Sequence, residues 1–123
     1  MADKGNEGGT GPLSAIEFHV LMVLAEGASY GYAIMKAVAE HSGGGVRPEI
    51  GSLYRVLTRL METGWVKEAD APADAKRGKR GLPRRYYALT SEGRGVALAE
   101  ARRLANVVAL ARERDLLPEL GSR

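Results

Sequence analysis

The segment from residue 49 to residue 66 constrains the fold more than any other part of this sequence. At about 100° per residue, a helix over this segment has one apolar face and one polar face. The apolar face carries Ile50, Leu53, Val56, Leu57 and Leu60. The polar face carries Gly51, Ser52, Tyr54, Arg55, Thr58 and Arg59, opposed only by Glu62. Because the apolar face belongs in a core, the helix presents hydroxyls, an aromatic ring and two guanidinium groups to solvent.

This polar face has the chemistry of a nucleic-acid contact. Arginine can fork onto guanine edges or phosphates, and hydroxyl groups can donate to phosphate oxygens. We predict a major-groove set in which Arg55 and Arg59 are best suited to base edges; its members are Ser52, Tyr54, Arg55, Thr58 and Arg59. Gly51 would let the first helical turn approach a phosphate, which the helix dipole favours. The alternative is a polar face that is merely solvated.

A basic segment follows at residues 76–85, with six cations in ten positions and no acid. Stretches of strand composition flank it at 65–68 and 85–89, which predicts a hairpin. We predict that five of these cations hold phosphates or lie in the minor groove beside the helix. These cations are Lys76, Arg77, Lys79, Arg80 and Arg84. A loop that only aids solubility is the alternative, although such a surface normally intersperses acids.

Helix-start and helix-stop signals divide the rest of the chain. The predicted helices are, by number, 15–26, 31–41, 48–64 and 91–115. Ser14 and Glu17 form a capping box before the first, Ser29 is expected to cap the second, and Thr90 or Ser91 the last. The order ααα-ββ-α predicts a mainly helical α+β fold, a winged helix-turn-helix followed by a C-terminal dimerisation helix.

Three aromatic residues stand at the ends of the predicted hairpin. Trp65 is expected to fill the core, with a ligand platform as the alternative. Tyr86 and Tyr87 alternate across a strand, so one is expected to be buried and the other exposed.

Length and composition set further bounds. The chain has 123 residues and a net charge of +3, so the clustering of its cations is stronger evidence for a polyanionic partner than their number. Its lack of cysteine excludes a disulfide framework, a thiolate metal site and a cysteine nucleophile. Two isolated histidines make a metal or cofactor unexpected. Since no long apolar run or signal segment is present, we expect a cytoplasmic protein without membrane contact.

Three motifs, standing in order, resemble those of PadR-type transcriptional regulators of the short subgroup with one C-terminal helix. They are Gly31-Tyr32-Ala33-Ile34, the segment from Gly51 to Leu60 with Gly64, and the segment from Gly81 to Gly93. The resemblance covers about residues 13–115 and departs only in a long, basic hairpin. It implies a homodimer that binds an inverted-repeat operator in double-stranded DNA and represses transcription. For many members it also implies release by a small aromatic, phenolic or drug-like effector.

The last helix favours a dimer on its own evidence. Its apolar arc spans about 220° and extends about 35 Å, more than one small domain would cover. We therefore predict a contact with a second chain through Val96, Ala97, Ala101, Leu104, Val107, Val108 and Ala111. Two-fold symmetry would then place two recognition helices about 34 Å apart, and an effector cleft is expected between the last helices and the partner's first helix.

The segment boundaries follow from these assignments. We expect a disordered tail over 1–12, a winged helix-turn-helix domain over 13–90, a dimerisation helix over 91–116 and a short tail over 117–123. Enzyme motifs fail: Lys79 is followed by Arg80, position 73 is alanine where a phosphate loop needs glycine, and no Gly-x-Ser-x-Gly elbow occurs. The remaining alternative is a winged-helix adaptor that binds a protein or ligand without operator specificity.

Overall fold

Four helices and a three-stranded antiparallel sheet form the part of the chain that the computed structural model describes, residues 13–75 and 84–118. The elements are α1 (Ala15–Ala25), β1 (Ser29–Tyr30), α2 (Gly31–His41), α3 (Ile50–Glu62), β2 (Val66–Ala69), β3 (Tyr86–Leu89) and α4 (Ser91–Glu113). This confirms the predicted winged helix-turn-helix fold. Most of the basic segment, residues 76–83, lies outside the described residues, as do both predicted tails except for 117–118. No helix in the described ranges combines the length and apolarity needed to cross a membrane.

Local signals fixed several helix ends as predicted. The capping box of α1 is present: Ser14 Oγ accepts from the Glu17 N–H at 3.2 Å, and Glu17 Oε1 accepts from the Ser14 N–H at 2.9 Å. Helix α3 ends before Gly64, whose φ of 86° is in the region that favours glycine. Thr90 is the cap of α4, since its Oγ1 accepts from the Gly93 N–H at 2.9 Å.

The start of α2 differs from the prediction. Ser29 does not cap the helix; instead Ser29 and Tyr30 form β1 and pair with Tyr87 and Tyr86 of β3. Tyr30 occupies the N-cap position without a side-chain hydrogen bond. A two-residue strand has too few positions to show an alternating pattern, and its partners lie 58 and 56 residues further on, so no local pattern indicates it.

The core lies between the first three helices and the inner face of the sheet. Helix α3 begins at Ile50, not at Pro48, and Ile50 itself is exposed because this first turn extends beyond the core. The main buried side chains are Val20, Leu21, Leu24, Ile34, Val38, Leu53, Leu57, Leu60, Trp65 and Tyr87. Trp65 therefore fills the core, as expected.

Both tyrosines of β3 are buried, so the expectation that one would be exposed was wrong. The sheet order is β1-β3-β2, which places β3 in the centre with a strand on each side. Tyr87 belongs to the main core. Tyr86 packs against Tyr30 of β1, with ring centroids 5.4 Å apart. The unpredicted strand β1 thus covers the second tyrosine.

Helix α4 rests on the domain through its first turns. Val96 and Ala97 pack against the core, and Arg94 Nη2 donates to the Ala25 carbonyl at 3.3 Å. The predicted apolar arc also contains a buried carboxylate that was not predicted. It belongs to Glu100, which is only 7% exposed. Arg103 donates to both Glu100 oxygens, at 3.0 and 2.6 Å, and this hydrogen bonding lowers the pKa of Glu100.

Gly93 joins α4 to the sheet at close range. A Cβ atom at this position would overlap the Trp65 carbonyl oxygen, which belongs to the backbone and cannot rotate away. The Trp65 carbonyl also accepts the Thr90 N–H at 3.1 Å, and Thr90 Oγ1 donates to the Gly64 carbonyl at 2.7 Å. The start of α4 is therefore fixed directly to the chain between α3 and β2.

We expect Gly93→Ala to destabilise the fold by about 1–3 kcal/mol, because the added methyl group must push two backbone segments apart. Gly95→Ala is the matched control, since a Cβ atom there meets nothing within 4 Å. That control should raise stability by about 0.5–1 kcal/mol through helix propensity alone. Urea unfolding of both variants measures the difference, and equal stabilities would contradict the proposed close contact.

Candidate nucleic-acid interface

The outward side of α3 forms a line of exposed residues. The helix buries Leu53, Val56, Leu57 and Leu60 on its inner side. At about 100° per residue, the positions directly opposite are Gly51, Arg55, Thr58 and Glu62, and all four are exposed. We call these four residues the outer ridge. The predicted polar face therefore separates into this ridge and two flanks.

Arg55 lies in the middle of the outer ridge. Its Nη2 donates to Ser52 Oγ at 3.2 Å, one helical turn earlier. This contact holds the guanidinium over the first turns of α3, where the helix end carries its positive dipole. Arg55 and Ser52 thus form a polar pair in the N-terminal half of the helix.

Tyr54 lies on the flank of α3 that faces α2. Its ring covers the first residue of α2 so closely that a Cβ atom on Gly31 would lie 2.5 Å from the Tyr54 hydroxyl oxygen. The side chain is nevertheless 42% exposed. Because Gly31 has no side chain, the Tyr54 ring can occupy the junction of the two helices.

Arg59 lies on the other flank, which faces α1. Its Nε and Nη2 atoms are each 3.1 Å from Glu17 Oε2. Sequence reasoning identified Glu17 only as part of the capping box. The 42 residues between the two partners leave no local pattern that could have revealed the ion pair.

The two helices of the helix-turn-helix differ from α1 and α4 at their first turns. Side chains cap α1 and α4, at Ser14 and Thr90. The N-cap residues of α2 and α3, Tyr30 and Glu49, make no side-chain cap hydrogen bond. A Cβ atom on Gly51 would meet nothing within 4 Å, so the approach to the first turn of α3 is open. Such N–H groups can hydrogen-bond to a phosphate.

The base of the hairpin carries two arginines with different partners. Arg84 stacks over the Tyr30 ring, 4.2 Å from its centroid, which holds this predicted DNA contact beside α2. Arg85 Nε lies 3.3 Å from Glu68 Oε2, and this carboxylate is the main cause of the raised pKa of Arg85. The predicted contacts Lys76, Arg77, Lys79 and Arg80 lie outside the described residues.

A surface cleft of about 790 Å³ follows α2 beside Tyr30. Tyr32, Lys36 and Arg47 contribute to its lining, with Glu40 as an opposing charge. Lys36 and Arg47 were not in the predicted DNA-binding set, because each is an isolated cation that forms no pattern in the sequence. Since Tyr30 lines this cleft and also contacts Arg84, the cleft with Lys36 and Arg47 adjoins the base of the hairpin.

The predicted dimer residues divide between the two halves of α4. Val96 and Ala97 are half-buried against the chain's own core. Leu104 and Ala111 are also half-buried, whereas Ala101, Val107 and Val108 are exposed. Leu98 and Leu110 add further exposed apolar surface. The second half of α4 thus presents the larger uncovered apolar area, and the contact itself stays a prediction.

We expect Gly31→Ala to displace the Tyr54 ring and to destabilise the protein by about 1 kcal/mol. Gly51→Ala should instead stabilise it, by up to about 1 kcal/mol, because its Cβ has free space and alanine favours the helix. If a phosphate approaches α3 at Gly51, this second variant binds DNA more weakly despite its greater stability. Thermal unfolding and a fluorescence-anisotropy titration with duplex DNA measure the two effects separately. A Gly31→Ala protein with unchanged stability would contradict the assigned Tyr54 contact.

Comparison with protein families gives a match to the PadR-like family of transcriptional regulators over residues 20–99. No curated protein matched the chain. Among solved structures, a PadR family regulator from Clostridium difficile is similar with a TM-score of 0.65 at 20% identity, over 81% of this chain and 97% of that one.

Two other similar structures are informative, one for its higher sequence identity and one because it is a complex with DNA. A complex of hsRosR-S1 is 32% identical, with a TM-score of 0.59 over 83% of this chain and 84% of that one. Bacillus subtilis PadR in complex with operator DNA is 21% identical, with a TM-score of 0.57 over 70% of this chain and 46% of that one.

Proposed function

This chain belongs to the PadR-like family of transcriptional regulators, and from that membership we propose that it binds a specific operator in double-stranded DNA. We propose further that it does so as a homodimer on an inverted repeat, and that it represses transcription from the cytoplasm by occupying the operator. The proposal assigns it no catalytic activity. It treats residues 13–90 as the DNA-binding domain and 91–116 as the dimerisation helix.

The outer ridge of α3 is the observation that supports this function most directly. It is exposed along its whole length while the opposite face is buried, so the helix can enter a groove without losing core contacts. Arg55 and Thr58 stand in its centre, with Ser52 hydrogen-bonded to Arg55. A guanidinium on such a helix can form two hydrogen bonds with guanine in the major groove.

The proposed contacts fall into two classes. The major-groove class comprises Ser52, Tyr54, Arg55, Thr58 and Arg59, among which Arg55 and Arg59 are best suited to read base edges. The phosphate or minor-groove class comprises the open first turn at Gly51 together with Lys76, Arg77, Lys79, Arg80 and Arg84. Phosphate contacts orient the protein, whereas contacts with base edges select the sequence.

Dimerisation through α4 is proposed from its uncovered apolar side chains. Val107 is 47% exposed and Leu110 50%, on a helix that extends past the domain. Burial of apolar area of this kind is the usual driving force for association. The proposed contact uses Val96, Ala97, Ala101, Leu104, Val107, Val108 and Ala111.

An effector is proposed to act on this same dimer. A small planar aromatic compound between the α4 helices and the partner's α1 would bind the arrangement that cannot reach both half-sites. Its coupling to DNA binding is expected at about 1–3 kcal/mol. The DNA affinity of the purified protein, titrated with phenolic acids and planar dyes, tests this part.

Selection from a random duplex library with the purified full-length chain tests the central proposal. A dimeric regulator should enrich an inverted repeat whose half-sites are centred about 10 base pairs apart. A winged-helix adaptor without operator specificity would enrich no sequence, and that result would refute the proposed function.

Arg55→Ala tests the base-reading class. On the selected operator this variant should lose about 1–3 kcal/mol of binding free energy, and clearly less on random duplex DNA. The loss should concentrate at one base pair in each half-site when single substitutions are compared. Equal losses on operator and random DNA would place Arg55 on a phosphate instead.

Leu104→Glu tests the dimer. A carboxylate in the apolar contact must be hydrated, so the two chains should separate while each domain stays folded. Sedimentation should report half the mass with unchanged helical circular dichroism, and operator affinity should fall to the random-duplex level. Ala99→Glu, which places the same charge at an exposed position on the other side of α4, is the control and should stay dimeric. A Leu104→Glu protein that stays dimeric would contradict the assigned interface.

A further inference from the structure

We propose that Glu17 of α1 positions Arg59 of α3 and thereby sets how selectively the protein reads DNA. The inference rests on the proposed function, because it concerns the residue assigned there to a base edge. Glu17 itself is not placed on DNA. It acts through Arg59 and is therefore a positioning residue.

The carboxylate of Glu17 is held in place by a contact that does not involve Arg59. Its Oε1 accepts the Ser14 N–H at 2.9 Å, and its own N–H donates to Ser14 Oγ at 3.2 Å. The other oxygen, Oε2, faces Arg59. The Glu17 side chain is only 17% exposed, against 51% for Arg59. Because Glu17 is the less exposed partner and its carboxylate is anchored at the Ser14 N–H, it determines where the Arg59 side chain lies.

The contact also determines which edge of the guanidinium remains available. Glu17 Oε2 lies beside the edge formed by Nε and Nη2. Arginine has a second edge, formed by Nη1 and Nη2, that can make two parallel hydrogen bonds to guanine or phosphate. With the first edge held by Glu17, the second is directed away from α1. The side chain then loses little conformational freedom when DNA binds.

The ion pair has a second consequence, for DNA of any sequence. A free arginine attracts every phosphate, and each phosphate that a protein neutralises strengthens both its non-specific binding and its salt dependence. Glu17 compensates the charge of Arg59 at 3.1 Å, so this arginine adds little to such binding. It can contribute mainly where an acceptor meets its second edge. Glu17 therefore favours specific over non-specific complexes.

Glu17→Gln separates this role from the capping box. Glutamine keeps an oxygen that can accept the Ser14 N–H, so the cap of α1 is retained while the negative charge is lost. Glu26→Gln, at the exposed C-terminal end of the same helix, removes one charge without facing Arg59 and is the matched control. Thermal unfolding of both variants should stay close to the parent protein.

Binding of the full-length variants to the selected operator, its single base-pair variants and a random duplex tests the inference across a salt series. Glu17→Gln should bind the random duplex several-fold more tightly and with a steeper salt dependence, by about one unit of slope per chain. Its preference at one base pair of each half-site should fall about fivefold or more. Glu26→Gln should match the parent protein in both respects.

A double-mutant cycle with Arg59→Ala decides whether Glu17 acts through Arg59. In the Arg59→Ala background, Glu17→Gln should have no further effect on base preference. An effect that persists there, or unchanged base preference in Glu17→Gln alone, would overturn the inference. These outcomes differ from failure of the proposed function, in which the parent protein itself selects no sequence.

Discussion

The apolar face of α3 is buried against α1, α2 and β2, and the exposed surface of the domain depends on this packing. Leu53, Leu57 and Leu60 are almost completely inaccessible, so the rotation of the helix about its axis is fixed. A shift of one position would turn the helix by about 100° and bring charged side chains into the core. Because that rotation is fixed, Arg55 and Thr58 point outward from the domain.

The flanks of α3 are held by its neighbours while the outer ridge stays free. Tyr54 is held against Gly31 of α2, and Arg59 is paired with Glu17 of α1. The arginine in the centre, Arg55, donates a hydrogen bond to Ser52 on the neighbouring turn of its own helix. In the proposed complex with DNA, this division gives α3 a central strip that can adapt to bases and two edges whose positions are set in advance. Prearranged edges reduce the conformational entropy that binding must overcome.

Features encoded by nearby residues could be predicted from the sequence. The capping box at Ser14, the two faces of α3 and the end of that helix at Gly64 all depend on spacings of a few residues, and the structure contains each. Features that depend on distant pairing were missed, including β1, the cover that it gives Tyr86, and the contact of Glu17 with Arg59. The buried Glu100 was missed for another reason: its position matched the apolar arc, but its residue type did not. The predicted site residues lie along α3 as their spacing indicated, whereas the contacts that hold its flanks depend on the neighbouring helices.

The close contact between Gly93 and the Trp65 carbonyl limits how far helix α4 can tilt on the domain. Together with the hydrogen bond from Thr90 to Gly64 and that from Arg94 to Ala25, it attaches α4 at three points within its first turn. The 23-residue helix is about 34 Å long, and beyond Val96, Ala97 and Glu100 most of its residues are exposed. A tilt of about 10° at the start of α4 would move its far end by about 6 Å, slightly more than the rise of one helical turn. In the proposed dimer, the absence of a side chain at residue 93 therefore contributes to setting the distance between the two α3 helices.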